Sequence, residues 1–339
     1  MSFPLAEWID SHLGCRHNLG LSGMQGSVRH PAPRAGEISS ADSEVLRGEL
    51  ADGLGVDPRR VFLTPGATEA NSRVLAYLSG RARGRRRAAR VHFPEYPPLF
   101  DGARWAGFRP DPSRTNRPAV AVVSNPRNPE GDRWSTARLL EWSEGADSLL
   151  VDETFREFAH APSVHDLPRP GVWTTGTFTK FYAGDDLRVG FVVAPEEERP
   201  RFSEYHGVVA DPLSNFAIAA ALATWRARDR LRREVDSVLE RNRAAFRRSF
   251  PDSTGPEAPV AFDRGPPDGE RCARRVLRSS VLVCPGGLFG DPTGVRLCLT
   301  RRSFPADLAA YLAARGPGRS ARRVELSGLD RPVVVARER

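Results

Sequence analysis

Four short apolar runs, each ending in polar residues, limit what this chain can fold into. They are VFLTPGATEAN from Val61, AVAVVSNPRNPEG from Ala119, SLLVDETFREF from Ser148 and GVWTTGTFTK from Gly171. Helix-patterned stretches such as STARLLEWSEG lie between them. Strands alternating with helices build a largely parallel sheet covered by helices, an α/β architecture. Ligands of such sheets sit outside the carboxyl ends of the strands. Asn125, Asn128, Asp152 and Lys180 all fall at those ends, so one crevice is expected to collect them.

Lys180 is the only lysine among 50 basic residues. A chain that uses arginine at every other basic position keeps lysine where arginine cannot act. An ammonium can lose its proton and attack a carbonyl, whereas a guanidinium effectively never deprotonates. The unperturbed amine, with a pKa of about 10.4, is a poor nucleophile at neutral pH. Desolvation and a cationic neighbour activate it, and Arg188 is the expected neighbour. Asp152 follows directly on the apolar SLLV, where an ionised group needs a partner. Glu153 and Glu157 read as solvated turn residues. The Pro-Gly turn before Ala67 and Thr68 opens a helix whose unpaired N–H groups form an anion site.

Several function classes drop out on composition. No run approaches the roughly 20 apolar residues of a membrane span. The start, MSFPLAEWIDSH, lacks the basic and apolar regions of a signal peptide, so a cytoplasmic protein without membrane contact is expected. Cys15, Cys272, Cys284 and Cys298 show no C-x-x-C pairing and no nearby histidine cluster, so they are expected to be reduced and buried, with no metal site. The net charge of +8 and the run RARGRRRAAR, Arg81 to Arg90, raise nucleic acid as a partner. Without zinc-finger spacing or an RNP-like aromatic strand, the run reads instead as a solvated connection.

In chain order, residues 1–40 form an irregular arm containing HNLGLSGMQG. A helix follows from about Ala41 to Leu54, with Asp42 or Ser40 as its cap and Gly55 at its end. A long helix from about Leu213 to Ser249 begins apolar and ends charged, from core to surface. Beyond it, AFDRG, SSVLVCPGG and GVRLCLT read as strands, Phe304 to Ala314 as a helix, and the late VVV as an edge strand. The expected division is an arm over 1–40, a large domain over 41–213, and a linking helix with a small domain over 214–339.

Six segments in order, PGATEAN, FPEYPPLF, SNPRNPEG, VDETF, TFTKFYAGDDLRVG and GVRLCLT, resemble the class I and II aminotransferases of pyridoxal phosphate (PLP) fold type I. The histidinol-phosphate and aspartate enzymes are the nearest kinds, and the resemblance covers about residues 15 to 305. It implies a mostly parallel seven-stranded sheet between helices in the large domain, plus a smaller α+β C-terminal domain. It also implies a homodimer acting on an amino acid and a 2-oxo acid.

Residue by residue, the resemblance makes Lys180 the Schiff-base lysine and proton shuttle. Asp152 becomes the partner of the pyridinium nitrogen, which keeps the ring an electron sink. Asn128 bonds the phenolic oxygen and borders the substrate, and Tyr96 stacks on the ring. Ala67, Thr68, Thr177 and Arg188 hold the phosphate, and Arg296 takes the substrate carboxylate as a fork. Contacts to the substrate side chain are expected from Asn18 to Met24 and from the domain interface.

The chain also departs from the family pattern. Phe155 stands where many members have tyrosine. RAGEISSADSE lacks the tyrosine that reaches the partner subunit's phosphate, leaving Ser39 or Ser40 near that place. The asparagine turn ends NPEG, and the chain is short. Trimmed members include decarboxylases resembling threonine-phosphate decarboxylase, and lyases. An α-decarboxylase on the same cofactor is therefore the alternative, with a non-catalytic PLP- or nucleic-acid-binding protein as a second.

Overall fold

The apolar runs become the strands of one large sheet. The computed structural model describes residues 3–33, 38–82, 87–110, 117–253 and 255–316; the VVV tail and residues 83–86 of the arginine run lie outside the described residues. The strands are β1 (His17–Asn18), β2 (Val61–Thr64), β3 (Ala88–Val91), β4 (Arg109–Pro110), β5 (Val120–Ser124) and β6 (Ser148–Asp152). They continue as β7 (Val172–Thr177), β8 (Gly190–Val193), β9 (Val260–Asp263), β10 (Val281–Leu282), β11 (Cys284–Pro285) and β12 (Val295–Cys298).

Seven of them form the sheet β2-β8-β7-β6-β5-β3-β4, in which only β8 runs against its neighbours. The mostly parallel seven-stranded sheet is therefore present. β5, β6 and β7 are buried along their whole lengths, as strands covered on both faces must be. Successive residues of β5 feed different clusters. Val120 and Val122 join Tyr77, Trp173 and Phe202, while Ala121 and Val123 join Trp134, Leu139 and Trp142. A smaller antiparallel sheet has the order β11-β12-β9.

The described residues of the arm, 3–33 and 38–40, are less irregular than their sequence reads. PLAEWID forms the helix Pro4–Asp10, opened by its proline, and Trp8 Nε1 donates to the Val283 carbonyl at 2.7 Å. β1 pairs with β10, and the Cys298 N–H donates to the Leu19 carbonyl at 2.8 Å. The arm takes its order from partners at the far end of the chain, which local pattern cannot reveal. SSVLVCPGG likewise splits into β10 and β11, because one half pairs with β1 and the other with β12.

The expected long helix is two, Asn215–Arg226 and Arg228–Ser249, broken at Ala227. The halves serve different surfaces. Trp225 packs on Gly53 of the helix Asp42–Leu54 and donates through Nε1 to the Glu49 carbonyl at 3.2 Å. In the second half, Asn242 Nδ2 donates to the carbonyls of Leu299 at 2.7 Å and Arg301 at 2.8 Å. The helix Asp42–Leu54 has Ala41 at its cap position and no side-chain cap from Asp42 or Ser40. The helix Gly269–Leu277, unread in the sequence, buries Cys272, Ala273 and Val276 beneath a charged outer face.

The described ends of the arginine run differ: Arg81 and Arg87 are exposed, as in a solvated connection, whereas Arg90 is buried. Arg81 pairs with Glu198, and the buried Arg90 donates to the carbonyls of Trp142 and Glu144, both at 2.9 Å. All four cysteines are free, and Cys15 is only half-buried. Among the described residues no helix is long and apolar enough to cross a membrane, and no metal-ligand cluster occurs.

Candidate functional site

At the carboxyl ends of β5, β6 and β7 opens a cavity of about 370 Å³, lined by Ala67, Thr68, Tyr96, Asn128, Asp152, Thr177, Lys180, Arg188 and Arg296. The crevice expected from strand ends thus collects all nine. Asn125 is not in its lining; its side chain bonds Trp134 instead.

Asp152 closes β6 and is 2% exposed. Its Oδ1 accepts the Thr154 N–H at 2.8 Å and its Oδ2 accepts Asn71 Nδ2 at 2.7 Å. No cation pairs with it among the described residues, and burial pushes its carboxyl above the ordinary range. Asn71 Oδ1 in turn accepts the Thr175 hydroxyl at 2.8 Å. This fully buried asparagine fixes the carboxylate, and the sequence reading passed over it. Its signal was present: a polar residue inside the apolar face of the helix Ala67–Arg81.

Glu153, read as a solvated turn residue, is buried instead. It accepts Ser163 Oγ and the Val164 N–H, both at 2.7 Å, so protein donors replace water. Glu157 is partly buried and pairs with Arg156 and Arg232.

Behind Asn128 and Tyr96 lies a second buried acid that sequence reading missed, Glu95. Ser124 Oγ donates to Glu95 Oε1 at 2.5 Å and accepts the Asn128 N–H at 2.9 Å. The Tyr96 and Ser124 N–H groups also point at the carboxyl, at 2.7 and 2.9 Å. Burial outweighs these donors and pushes Glu95 up to about 7.

The sign of the pH effect follows. A folded-state acid raised above its unfolded value stabilises fully below the unfolded pKa and loses that contribution as pH rises through about 7. Glu95→Gln removes this titration. Urea unfolding between pH 4.5 and pH 7 should therefore show a shallower loss of stability than wild type, by up to about 1.4 kcal/mol per pH unit. Equal slopes would mean that Glu95 does not titrate there.

The opposite end of the cavity is built for an anion. Gly66, at φ +87°, turns the chain into the helix Ala67–Arg81, leaving its first N–H groups unpaired within the helix. β8 passes so close that a Cβ on Gly190 would lie 2.5 Å from the Gly66 carbonyl carbon. Arg188 lies across the same turn, its Nη2 3.2 Å from where a Gly66 Cβ would stand. The Thr177 hydroxyl lies within 3.1 Å of the Val189 carbonyl and the Thr179 hydroxyl, and accepts the Thr179 N–H at 3.1 Å. It braces the loop that carries Lys180.

Lys180 is anchored by its own carbonyl, which accepts the Met24 N–H at 2.9 Å. Burial lowers its pKa; Asp185 opposes that shift, and Arg188 and Arg296 add to it. Arg296, on β12, is 2% exposed. Its Nη1 donates to Asn128 Oδ1 at 3.2 Å and its Nη2 to the Gly20 carbonyl at 2.8 Å, while Nε has no partner. The guanidinium lies over the Phe289 ring at 4.9 Å, and no carboxylate pairs with it among the described residues.

The helix Pro4–Asp10 lines the cavity through Leu5, Ala6, Ile9 and Asp10, joined by Phe3 at its cap position. Of the arm segment expected to meet substrate, Leu21 and Ser22 line the cavity. Asn18 does not: its Oδ1 accepts the Gly20 N–H at 3.0 Å. Phe155 forms part of the wall, while Ser39 and Ser40 are absent from the lining.

The family described as aminotransferase class I and II matches residues 37–303. Histidinol-phosphate aminotransferase 2 of Caulobacter vibrioides is 28% identical over 80% of this chain and 76% of its own. Aspartate aminotransferase of Thermococcus kodakarensis is 27% identical over 80% of this chain and 79% of its own. Among solved structures, the Thermus thermophilus aspartate aminotransferase with maleate has a TM-score of 0.70 at 21% identity, covering 91% of this chain and 95% of that one. The PLP-dependent cyclase OrfR has a TM-score of 0.72 at 24% identity, covering 93% and 98%. At such identities the two structures establish the fold.

Proposed function

The chain belongs to the class I and II aminotransferase family, and we propose that it binds pyridoxal 5′-phosphate at Lys180 and moves the amino group of an α-amino acid to a 2-oxo acid. One observation carries this reading. A single cavity holds the sole lysine, with its pKa lowered, and, among the described residues, a buried acid without a cation and a buried arginine without a carboxylate. The amine, the acid and the guanidinium each fit one part of the cofactor–substrate pair.

When bound, the cofactor supplies an electron sink for charge developing at the substrate α-carbon. Asp152, held by Asn71 and Thr154, keeps a proton on the ring nitrogen. Arg296 occupies Asn128 Oδ1, which leaves the Asn128 amide N–H to donate to the phenolic oxygen. Phe155 has no hydroxyl for that oxygen, so the donation falls to Asn128. Tyr96 stacks on the ring. The backbone of Ala67 and Thr68, with Arg188, takes the phosphate at the helix N-terminus, and Thr177 holds the loop beneath it. Arg296 takes the substrate carboxylate, and Lys180, once neutral, moves the α-proton. Phe3, Leu5 and Ile9 keep water from the reacting atoms.

The direct test is the visible spectrum with added pyridoxal 5′-phosphate, then borohydride reduction and peptide mapping. Only Lys180 and the terminal amine can be labelled, and the reading requires the adduct on Lys180. Failure to find it would overturn the proposal. Carbon dioxide release without amino transfer would favour the decarboxylase reading. A homodimer, by family analogy, and a cytoplasmic location are part of this proposal; a monomeric mass by light scattering with full activity would remove the first. Arg81 is paired with Glu198 and Arg90 is buried, which counts against nucleic acid as a partner.

A further inference from the structure

Lys180 and Arg188 do not meet the cavity as free charges. Asp185 Oδ1 stands between them, 3.6 Å from Lys180 Nζ and 3.4 Å from Arg188 Nη1. All three line the cavity with Ala67 and Thr68. Asp186, the next residue, is absent from that lining and pairs with His30 at 3.0 Å. Left-handed backbone at Ala183, φ 56°, and Arg188, φ 52°, gives the loop this shape. That conformation is uncommon for residues bearing a side chain.

Resting on the pyridoxal-phosphate reading, we propose that Asp185 is an internal competitor of the cofactor phosphate for Arg188 and so sets how tightly the cofactor is held. The Asp185 side chain is 43% exposed and that of Arg188 54%, so their contact is weak and readily exchanged. A phosphate brings more charge and more acceptors, and the helix N-terminus adds N–H donors that Asp185 does not engage. After the exchange the carboxylate stays beside an anion, and like charges repel. Asp185 also opposes the lowering of the Lys180 pKa by burial, Arg188 and Arg296, which favours the ammonium until the cofactor arrives.

The test compares full-length wild type, Asp185→Asn and Asp186→Asn by fluorescence titration with pyridoxamine 5′-phosphate. This probe has no aldehyde, so it reports the phosphate end without the Lys180 linkage. Asp185→Asn should bind it about tenfold tighter, a change of about 1.4 kcal/mol, while Asp186→Asn stays within about twofold of wild type. Equal or weaker binding by Asp185→Asn overturns the inference. So does an equal gain from Asp186→Asn, which would trace the effect to net charge alone. Asp185→Ser should repeat the gain if Asp185→Asn folds poorly. Pyridoxal 5′-phosphate trapping on wild type separates the two levels: no adduct on Lys180 defeats the cofactor reading, whereas an adduct without tightening defeats this inference alone.

Discussion

Lys180→Ala is expected to lower turnover by about 10⁴-fold or more, the upper end of what a positioned proton-transfer group contributes, while the cofactor still binds. The phosphate and ring contacts do not involve the lysine. Borohydride should then label only the terminal amine, because no other lysine exists. Lys180→Arg separates charge from chemistry. It preserves a cation beside Asp185, yet a guanidinium cannot give up its proton to become a nucleophile or base. It should be as inactive as the alanine variant. Activity within about tenfold of wild type for either variant would show that the amine does not carry the proton.

How far the sequence reaches is clear from individual residues. Lys180, Asp152 and Asn128 were legible because each ends or closely follows a strand, and strand ends of a parallel sheet converge, whereas Arg188 was legible as the cationic neighbour of Lys180 and from the family resemblance. The Pro-Gly turn marked the helix N-terminus for a similar local reason. Asn71 showed as a polar residue on an apolar helix face, but its role, like that of Glu95, was not legible. Their roles depend on Asp152 and Ser124, which the sheet brings to them from other elements. The helix Pro4–Asp10 and the strand His17–Asn18 depend on Val283 and β10 in the same way. Local periodicity reports what a segment is, while its partners decide what it does. The break at Ala227 follows the same rule, since each flanking helix is locally regular and the need for two comes from the surfaces they cover.

Arg296→Met is expected to raise the dissociation constant for α-amino acids by about 10² to 10³-fold, leave cofactor affinity unchanged, and cost little stability. The first effect follows from removing one partner of a buried charge pair, which costs about 3–5 kcal/mol. The third is less obvious for a side chain only 2% exposed. Among the described residues Arg296 contacts Asn128 Oδ1, the Gly20 carbonyl and the Cys284 thiol but no carboxylate, and its buried Nε has no partner. Such a cation is itself destabilising. Methionine keeps the apolar stem over Phe289 and removes the charge, but strands two acceptors, the Gly20 carbonyl and Asn128 Oδ1, each costing about 1–3 kcal/mol. These changes oppose one another, so the urea midpoint should stay near that of wild type. Spectral titration of the cofactor-loaded variant with amino acids gives the affinity, and urea unfolding gives the stability. Unchanged affinity would move the carboxylate site elsewhere. A loss beyond about 3 kcal/mol would make Arg296 a structural residue rather than a charge held in reserve for substrate.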